Sequence, residues 1–225
     1  MHRIALIHAM AESVEPIHAA FSRHWPEAIT FDLLDTSLAP DLLHVDESHS
    51  EMIKRFQTLG QYAAASNGNG GDTQGILFTC SAFRTEIDAV KAIVNIPVLG
   101  PSESAFNNAL ANSKRIGLLV TFEPSLAVLE QELRLLAKKQ GVNPSITCRV
   151  VKGALNALKS GDASTHDDLI AEAAAEMTEV DSLILGQFSM ARAGAIIPPL
   201  PGREVLTTPA SAVRQLRNII VSGSV

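Results

Sequence analysis

The sequence is poor in cysteine, in positive charge and in long apolar runs, and each shortage excludes a class of protein. The two cysteines lie far apart without Cys-x-x-Cys spacing, so neither a zinc knuckle nor a disulfide framework is indicated, and a reducing cytoplasm is expected. Lysine and arginine number 18 against 24 acidic residues, a formal charge of −6, which gives no general attraction to nucleic acid. The apolar runs are short and interrupted, so neither a membrane span nor a secretory signal is predicted.

The sequence does contain a regular alternation of short β-rich apolar runs with longer stretches of helical periodicity. This alternation is typical of βαβ units around a mostly parallel sheet, so we predict a Rossmann-like or flavodoxin-like α/β fold. Predicted strands lie near 3–7, 29–34, 75–79, 98–99, 115–120, 146–151, 182–185 and 205–206. Predicted helices lie near 14–24, 48–65, 82–93, 102–112, 124–140, 165–179 and 210–221. The glycine-rich tract 66–72 is predicted to be a flexible surface connection.

An internal repeat indicates two similar halves. Residues 3–7 (RIALI) resemble residues 115–119 (RIGLL), and residues 76–80 (ILFTC) correspond to residues 183–187 (LILGQ). The repeat predicts pseudo-symmetric α/β halves at 1–100 and 101–207, with the C-terminal helix, 208–225, packing on the first. A ligand is then expected between the halves, outside the carboxyl ends of the strands.

Cys80 occupies a reactive position in this pattern. It directly follows a predicted strand, and we expect a helix to begin at once. Unpaired N–H groups at a helix N-terminus lower the pKa of a thiol and enrich the thiolate, which acts as base or nucleophile. The alternative is a small buried hydrophobic residue, which is what most free cysteines are. Cys148 lies in a mid-strand context, where we predict a structural role.

These segments together resemble the Asp/Glu/hydantoin racemase superfamily over nearly the whole chain. The resemblance is carried by the Thr79-Cys80-Ser81 segment and by residues 97–101, 115–121 and 183–186. It implies an enzyme of two α/β halves that holds a small carboxylate between two cysteines, one from each half. In that mechanism the thiols exchange a proton on opposite faces of a carbon beside a carbonyl. The resemblance implies no metal or other cofactor, because backbone N–H groups and hydroxyls meet the developing enolate charge.

The sequence departs from that family where the second cysteine is usual, because Gln187 stands there. An amide serves neither as acid nor as base near neutral pH, which argues against a symmetric two-thiol racemase. The internal repeat independently pairs Cys80 with Gln187. Several hypotheses stay open at this point.

In the first hypothesis Cys80 is one acid/base and His8, just after the first predicted strand, serves the opposite face. In the second, Cys80 alone adds to a double bond, as in the maleate isomerase branch that the sequence resembles. In the third, a single thiol protonates the enolate left by decarboxylation, as in the arylmalonate decarboxylase branch, although that branch keeps the cysteine of the other half. A non-catalytic small-molecule binding protein is the contrasting hypothesis.

The remaining candidate residues are predicted to bind substrate. The resemblance implies that the Thr121 hydroxyl and the Phe122 aromatic ring lie near the substrate. The Ser81 hydroxyl can donate to a carboxylate, Gln187 supplies a donor and an acceptor, and Phe188 supplies an apolar wall. For the hydroxyls and for Phe122 the alternative is ordinary capping of the following helices. His44, Asp46, Glu47 and His49 lack a defined ligand geometry and are predicted to form a solvated loop instead of a metal site. Assembly into a homo-oligomer is expected on general grounds.

Overall fold

The computed structural model describes residues 1–44 and 49–223, and these divide into two compact units. Unit 1 comprises residues 1–101 together with the chain from residue 212 onward, and unit 2 comprises residues 102–211. Among the described residues, no helix combines the length and the apolar character needed to cross a bilayer.

Unit 1 is built on a mostly parallel sheet. Its strands are β1 (His2–His8), β2 (Ala28–Leu34), β3 (Asn67–Gly68), β4 (Gly71–Phe78) and β5 (Val98–Leu99). The parallel strands lie in the order β2-β1-β4-β5, and β3 pairs antiparallel with the start of β4. Because β1 and β4 have sheet neighbours on both sides, they read as continuous buried apolar runs, which is why they stand out so clearly in the sequence.

The helices of unit 1 cover this sheet and fix the segment that follows β4. They are α1 (Val14–His24), α2 (Leu38–Asp41), α3 (Ser50–Ala65) and α4 (Arg84–Lys91). Phe56 of α3 stacks on Phe78 of β4 at 5.4 Å between ring centroids, and its ring lies tilted against that of Phe83 at 4.8 Å. All three rings are buried. Phe83 therefore anchors the chain between β4 and α4, where Cys80 lies.

The glycine-rich tract differs from its prediction as a flexible connection. Asn67–Gly68 and Gly71–Asp72 form a hairpin, and the Asn67 side chain donates a hydrogen bond to Asp72 at 2.6 Å. Gly70 has φ +93° and Gly71 has φ +89°, a backbone region that glycine enters without steric cost. The Asn69-Gly70 dipeptide, a strong hairpin signal, is the feature that the sequence analysis overlooked.

Unit 2 repeats the parallel topology. Its strands β6 (Arg115–Val120), β7 (Ser145–Val150), β8 (Ser182–Leu185) and β9 (Glu204–Thr207) lie in the order β7-β6-β8-β9. Its helices are α5 (Glu103–Asn112), α6 (Pro124–Gln140), α7 (Ala154–Lys159) and α8 (Ala163–Ala175), and a 3₁₀ segment covers Phe188–Ala195. Buried apolar clusters line both faces of the sheet. The α/β fold of two halves with mostly parallel sheets is therefore confirmed.

The last helix, α9 (Thr208–Ser222), begins directly after β9 and contributes its later turns to unit 1. Leu216 and Ile220 pack over Gly75 of β4 so closely that a Cβ on this glycine would lie 2.8 Å from Ile220 Cδ1. Arg217 also pairs with Glu27 at 2.8 Å. A bare glycine in β4 thus gives α9 its place in unit 1.

All eight predicted strands are present, with ends that differ by no more than a few residues. The helices α2 and α7 were not predicted, because four and six residues are too few to show a helical period. The predicted helix start at residue 82 was also wrong, since α4 begins at Arg84.

Candidate active site

The candidate residues follow the strands at which the chain reverses the direction in which it adds strands to each sheet. In unit 1 the chain runs from β1 outward to β2 and then returns to β4, and in unit 2 it runs from β6 to β7 and returns to β8. Open α/β sheets bind ligands outside the carboxyl ends of the strands at such a switch point. Thr79 and Cys80 follow β4, Thr121 follows β6, and Gln187 lies two residues beyond the end of β8.

Cys80 lies in a short turn instead of at a helix start. Ser81 and Ala82 form the turn, and Phe83 is the residue before α4. The backbone N–H of Ala82 donates a hydrogen bond to the thiol. One N–H group thus takes the place of the helix N-terminus that the sequence analysis expected.

Burial raises the pKa of the Cys80 thiol to about 11, and the Ala82 hydrogen bond offsets this only in part. The expectation of a lowered pKa was therefore wrong. The physical reason is that removing a thiolate from water costs more free energy than one N–H donor returns. At neutral pH Cys80 is a thiol, able to deliver a proton, and it needs a further stabilising interaction to act as a base.

His8 ends β1 and is fully buried beside the residue that precedes Cys80. Its Nδ1 lies 2.9 Å from Thr79 Oγ1 and 3.2 Å from Ser13 Oγ, and its Nε2 lies 2.9 Å from Asp32 Oδ1. Burial lowers the pKa of His8, although the hydrogen bond and charge of Asp32 act in the opposite direction. Both ring nitrogens therefore have protein partners, an arrangement that suits a residue holding Thr79 in place.

The His8 contacts continue outward along a chain of polar groups. Both carboxylate oxygens of Asp32 lie 2.9 Å from Nε2 of His18, whose side chain is 38% exposed. At the inner end, Thr79 Oγ1 also lies 2.8 Å from Ser13 Oγ. Hydrogen bonds thus connect the residue next to Cys80 with a histidine at the surface of unit 1.

In unit 2 the structure brings three of the sequence candidates together. Gln187 Oε1 accepts hydrogen bonds from Thr121 N at 2.6 Å, from Thr121 Oγ1 at 2.8 Å and from Phe122 N at 3.2 Å. Gln187 Nε2 donates to Ser125 Oγ at 3.3 Å. The amide oxygen therefore occupies a cluster of three donors at the carboxyl end of β6.

The close approach of β8 to β6 explains why Gln187 reaches these donors. Gly186 donates its N–H to Leu119 O at 2.8 Å, and a Cβ at Gly186 would lie 3.0 Å from that same oxygen. A glycine at this position therefore brings the chain after β8 close to the end of β6. Phe188, which directly follows Gln187, is only 2% exposed and packs within the protein.

Sequence reasoning missed a matched pair of serines, one beside the segment that follows β4 in unit 1 and one beside the segment that follows β8 in unit 2. We call these two segments the corners of the two units. Ser13 Oγ donates to Met10 O at 2.7 Å, and Ser125 Oγ donates to Phe122 O at 2.7 Å. These serines stand 112 positions apart, the offset of the internal repeat, so extending the repeat by six residues beyond the segments 3–7 and 115–119 would have revealed them. Ser13 contacts Thr79 in unit 1, and Ser125 contacts Gln187 in unit 2.

The other predicted residues have individual places. Ser81 is 8% exposed in the turn after Cys80. His49 Nδ1 lies 2.7 Å from Oε1 of the buried Glu86, and His44 ends a 3₁₀ segment, Leu42–His44. Asp46 and Glu47 lie outside the described residues, and within the described part of the chain no group of three His, Cys, Asp or Glu residues is arranged to hold a metal.

Cys148 lies on the edge strand β7, at the border of the apolar cluster of unit 2. Burial, together with the nearby Glu130 carboxylate, raises the pKa of this thiol to about 11. An edge-strand thiol beside a carboxylate is a poor nucleophile, which agrees with the predicted structural role.

Comparison with known proteins identifies a family for the chain and solved structures with a similar fold. The sequence profile described as Asp/Glu/Hydantoin racemase matches residues 8–216. An allantoin racemase from Klebsiella pneumoniae is similar in structure, with a TM-score of 0.73 and 16% identity over 99% of this chain and 89% of that one. A glutamate racemase from Bacillus anthracis gives 0.72 and 13% over 99% and 83%. An arylmalonate decarboxylase variant gives 0.64 and 16% over 99% and 94%. No curated protein sequence matches significantly.

Proposed function

Because the chain belongs to the Asp/Glu/hydantoin racemase family, we propose that it is a cofactor-independent enzyme that racemises or isomerises a small carboxylate or related carbonyl compound. Cys80 is the reacting group in this proposal. The observation that carries it is the position of this thiol at the carboxyl end of β4, where the strand order of unit 1 reverses. A cytoplasmic location, in which the two unpaired cysteines stay reduced, is part of the same proposal.

In racemisation, a thiolate takes the proton from the carbon next to the carbonyl, and the C–H electron pair moves into the carbonyl as an enolate. A second group must then return a proton from the opposite face. Gln187 has no proton to exchange near neutral pH. His8, the sequence candidate for this role, has protein partners on both ring nitrogens, so its part in direct proton transfer stays a prediction.

In cis–trans isomerisation, one thiol is sufficient. The Cys80 thiolate adds to one carbon of a double bond, and the π electrons move onto the neighbouring carbon and its carboxylate. Rotation about the resulting single bond and expulsion of the thiolate then give the other isomer. Of the two isomerase hypotheses, this one agrees better with a single thiol and an amide at the equivalent position.

Decarboxylation is a second candidate, favoured by the raised pKa of Cys80. In that reaction the bond to a carboxyl group breaks, carbon dioxide leaves, and the electron pair remains as an enolate. A protonated thiol then supplies the proton that replaces the lost carboxyl group. Substrate-binding roles for Ser81, Thr121, Phe122, Gln187 and Phe188 are part of the proposal in each of the three reactions.

Proton NMR in deuterium oxide separates these reactions in one experiment. The purified protein would be incubated with maleate, D- and L-aspartate, D- and L-glutamate, allantoin and phenylmalonate. Racemisation exchanges the α proton for deuterium, isomerisation converts maleate signals into fumarate signals, and decarboxylation converts phenylmalonate into phenylacetate. We expect conversion of at least one compound.

The Cys80→Ser variant tests the role of the thiol, and Cys148→Ser is the matched control. We expect Cys80→Ser to lower the rate by a factor of about a thousand or more, and Cys148→Ser to retain most activity. Conversion that survives in Cys80→Ser would contradict the proposal. Binding of one of these compounds without any turnover would instead support a small-molecule binding protein.

A further inference from the structure

The two polar atoms of the Gln187 amide have different partners, and this difference determines what the residue can recognise. Its oxygen accepts three hydrogen bonds, two from backbone N–H groups of Thr121 and Phe122 and one from the Thr121 hydroxyl. An amide oxygen has two lone pairs, so three donors fully engage it. The acceptor function predicted from the sequence is therefore used inside the protein.

The backbone donors also fix the orientation of the amide. Backbone N–H groups donate and never accept, so the atom facing Thr121 N at 2.6 Å must be the oxygen. A rotated amide would place its NH₂ group against two N–H donors, which is unfavourable. The orientation thus follows from chemistry, and Gln187 Nε2 must point away from the end of β6.

Gln187 Nε2 has hydrogen-bonding capacity to spare. It carries two hydrogens, and within the described residues one acceptor is present, Ser125 Oγ at 3.3 Å. Ser125 in turn donates its own proton to Phe122 O. Gln187 is partly exposed, so a ligand at the carboxyl edge of the sheet of unit 2 can approach this residue.

We propose that Gln187 is a fixed hydrogen-bond donor that determines specificity by binding an oxygen acceptor of the ligand, a carboxylate or carbonyl oxygen. This inference rests on the proposed function and assigns a substrate group to one residue of the same site. Because the amide oxygen is occupied, Gln187 disfavours an ammonium or other donor at this position. Gln187, the residue equivalent to Cys80, therefore binds an oxygen acceptor of the ligand and transfers no proton.

Replacing Gln187 by glutamate tests the role of Nε2 separately from that of Oε1. In Gln187→Glu one carboxylate oxygen still accepts from Thr121 and Phe122, so the fold is retained, but the donor becomes an anionic acceptor. Gln131→Glu on the exposed face of α6 adds the same charge elsewhere in unit 2 and is the control. Binding of malonate, maleate and succinate would be measured by calorimetry, with β-alanine as the counterpart of succinate that carries an ammonium group.

We expect Gln187→Glu to weaken binding of the acids by about tenfold or more and to weaken β-alanine less or not at all. Gln131→Glu should bind like the wild type, and thermal unfolding should show that both variants are folded. Equal acid binding by Gln187→Glu and wild type would overturn the inference, as would preference of the wild type for β-alanine or failure of all three acids to bind. The Cys80→Ser variant tests the proposed function separately. Loss of turnover with acid binding intact would support Cys80 as the reacting group.

Discussion

The corner after β4 in unit 1 and the corner after β8 in unit 2 share their strand order and their supporting serine, but they present opposite chemistry. In unit 1 the equivalent position carries Cys80, a thiol that one backbone N–H contacts. In unit 2 it carries Gln187, an amide whose oxygen receives three donors. The comparison shows that two units with the same strand order can have the same backbone arrangement after a strand and yet differ in chemistry, because the side chain at that position differs.

The polar groups around the two corners also differ in whether they can titrate. In unit 1, Ser13 contacts Thr79 and His8, and the polar contacts continue through Asp32 to the surface. In unit 2, Ser125 contacts Gln187, a group that does not titrate. Titratable groups thus lie next to the thiol in unit 1, and fixed donors surround the amide in unit 2.

The largest expected effect concerns the pH dependence of thiol reactivity. With a pKa of about 11, Cys80 is a thiolate in only about one molecule in ten thousand at neutral pH. We expect its alkylation by iodoacetamide to accelerate about tenfold per pH unit, roughly a thousandfold over three units. Mass spectrometry of the modified peptide measures the rate, and a plateau near neutral pH would show that the pKa of Cys80 is low.

Cys148 sharpens this test, because its pKa is raised by Glu130 as well as by burial. The variant Glu130→Gln should lower the pKa of Cys148 and leave that of Cys80 unchanged. An equal response of the two cysteines to this substitution would mean that the local carboxylate is not the cause.

The next effect compares the matched serines by urea unfolding. Ser13→Ala removes contacts to Met10 O, Thr79 and the buried His8, so we expect a loss of about 1–3 kcal/mol of unfolding free energy. Ser125→Ala removes one strong contact, to Phe122 O, and a longer one to Gln187, so we expect about 0.5–1.5 kcal/mol. A greater loss for Ser125→Ala would contradict the view that unit 1 has the more extensive polar network.

The strands and the residues after them could be predicted from the sequence because both depend on local pattern. Buried parallel strands read as apolar runs, and the residue after such a strand can be named without knowing the fold. The repeat pairs Cys80 with Gln187 in the same way, by position along the chain. What could not be predicted depends on contacts between distant segments. Gln187 meets Thr121 across 66 positions, and the pKa of Cys80 depends on burial by the folded chain.

The smallest expected effect is a slope of stability with pH that originates at His8. Burial lowers the pKa of His8 in the folded state, so the unfolded chain binds a proton at this residue more readily than the folded chain does. Stability from this group is therefore complete above about pH 6.5 and declines as the pH falls, by up to about 1.4 kcal/mol per pH unit. Asp32 and Thr79 contact His8, and His18 faces it across Asp32. The variant His8→Gln should flatten this slope in urea unfolding.

The control for this slope is His24, whose pKa is also lowered, by burial and by Arg214 and Arg23. His24 lies at the end of α1, away from the polar contacts of His8. We expect His24→Gln to remove a smaller part of the slope, because its ring is partly exposed and water screens its charge. If His8→Gln kept the full slope and His24→Gln removed it, the neutral form of His8 would not be favoured by folding. The polar network of unit 1 would then not depend on a neutral imidazole, and the proposed contrast between the two corners would reduce to Cys80 and Gln187 alone.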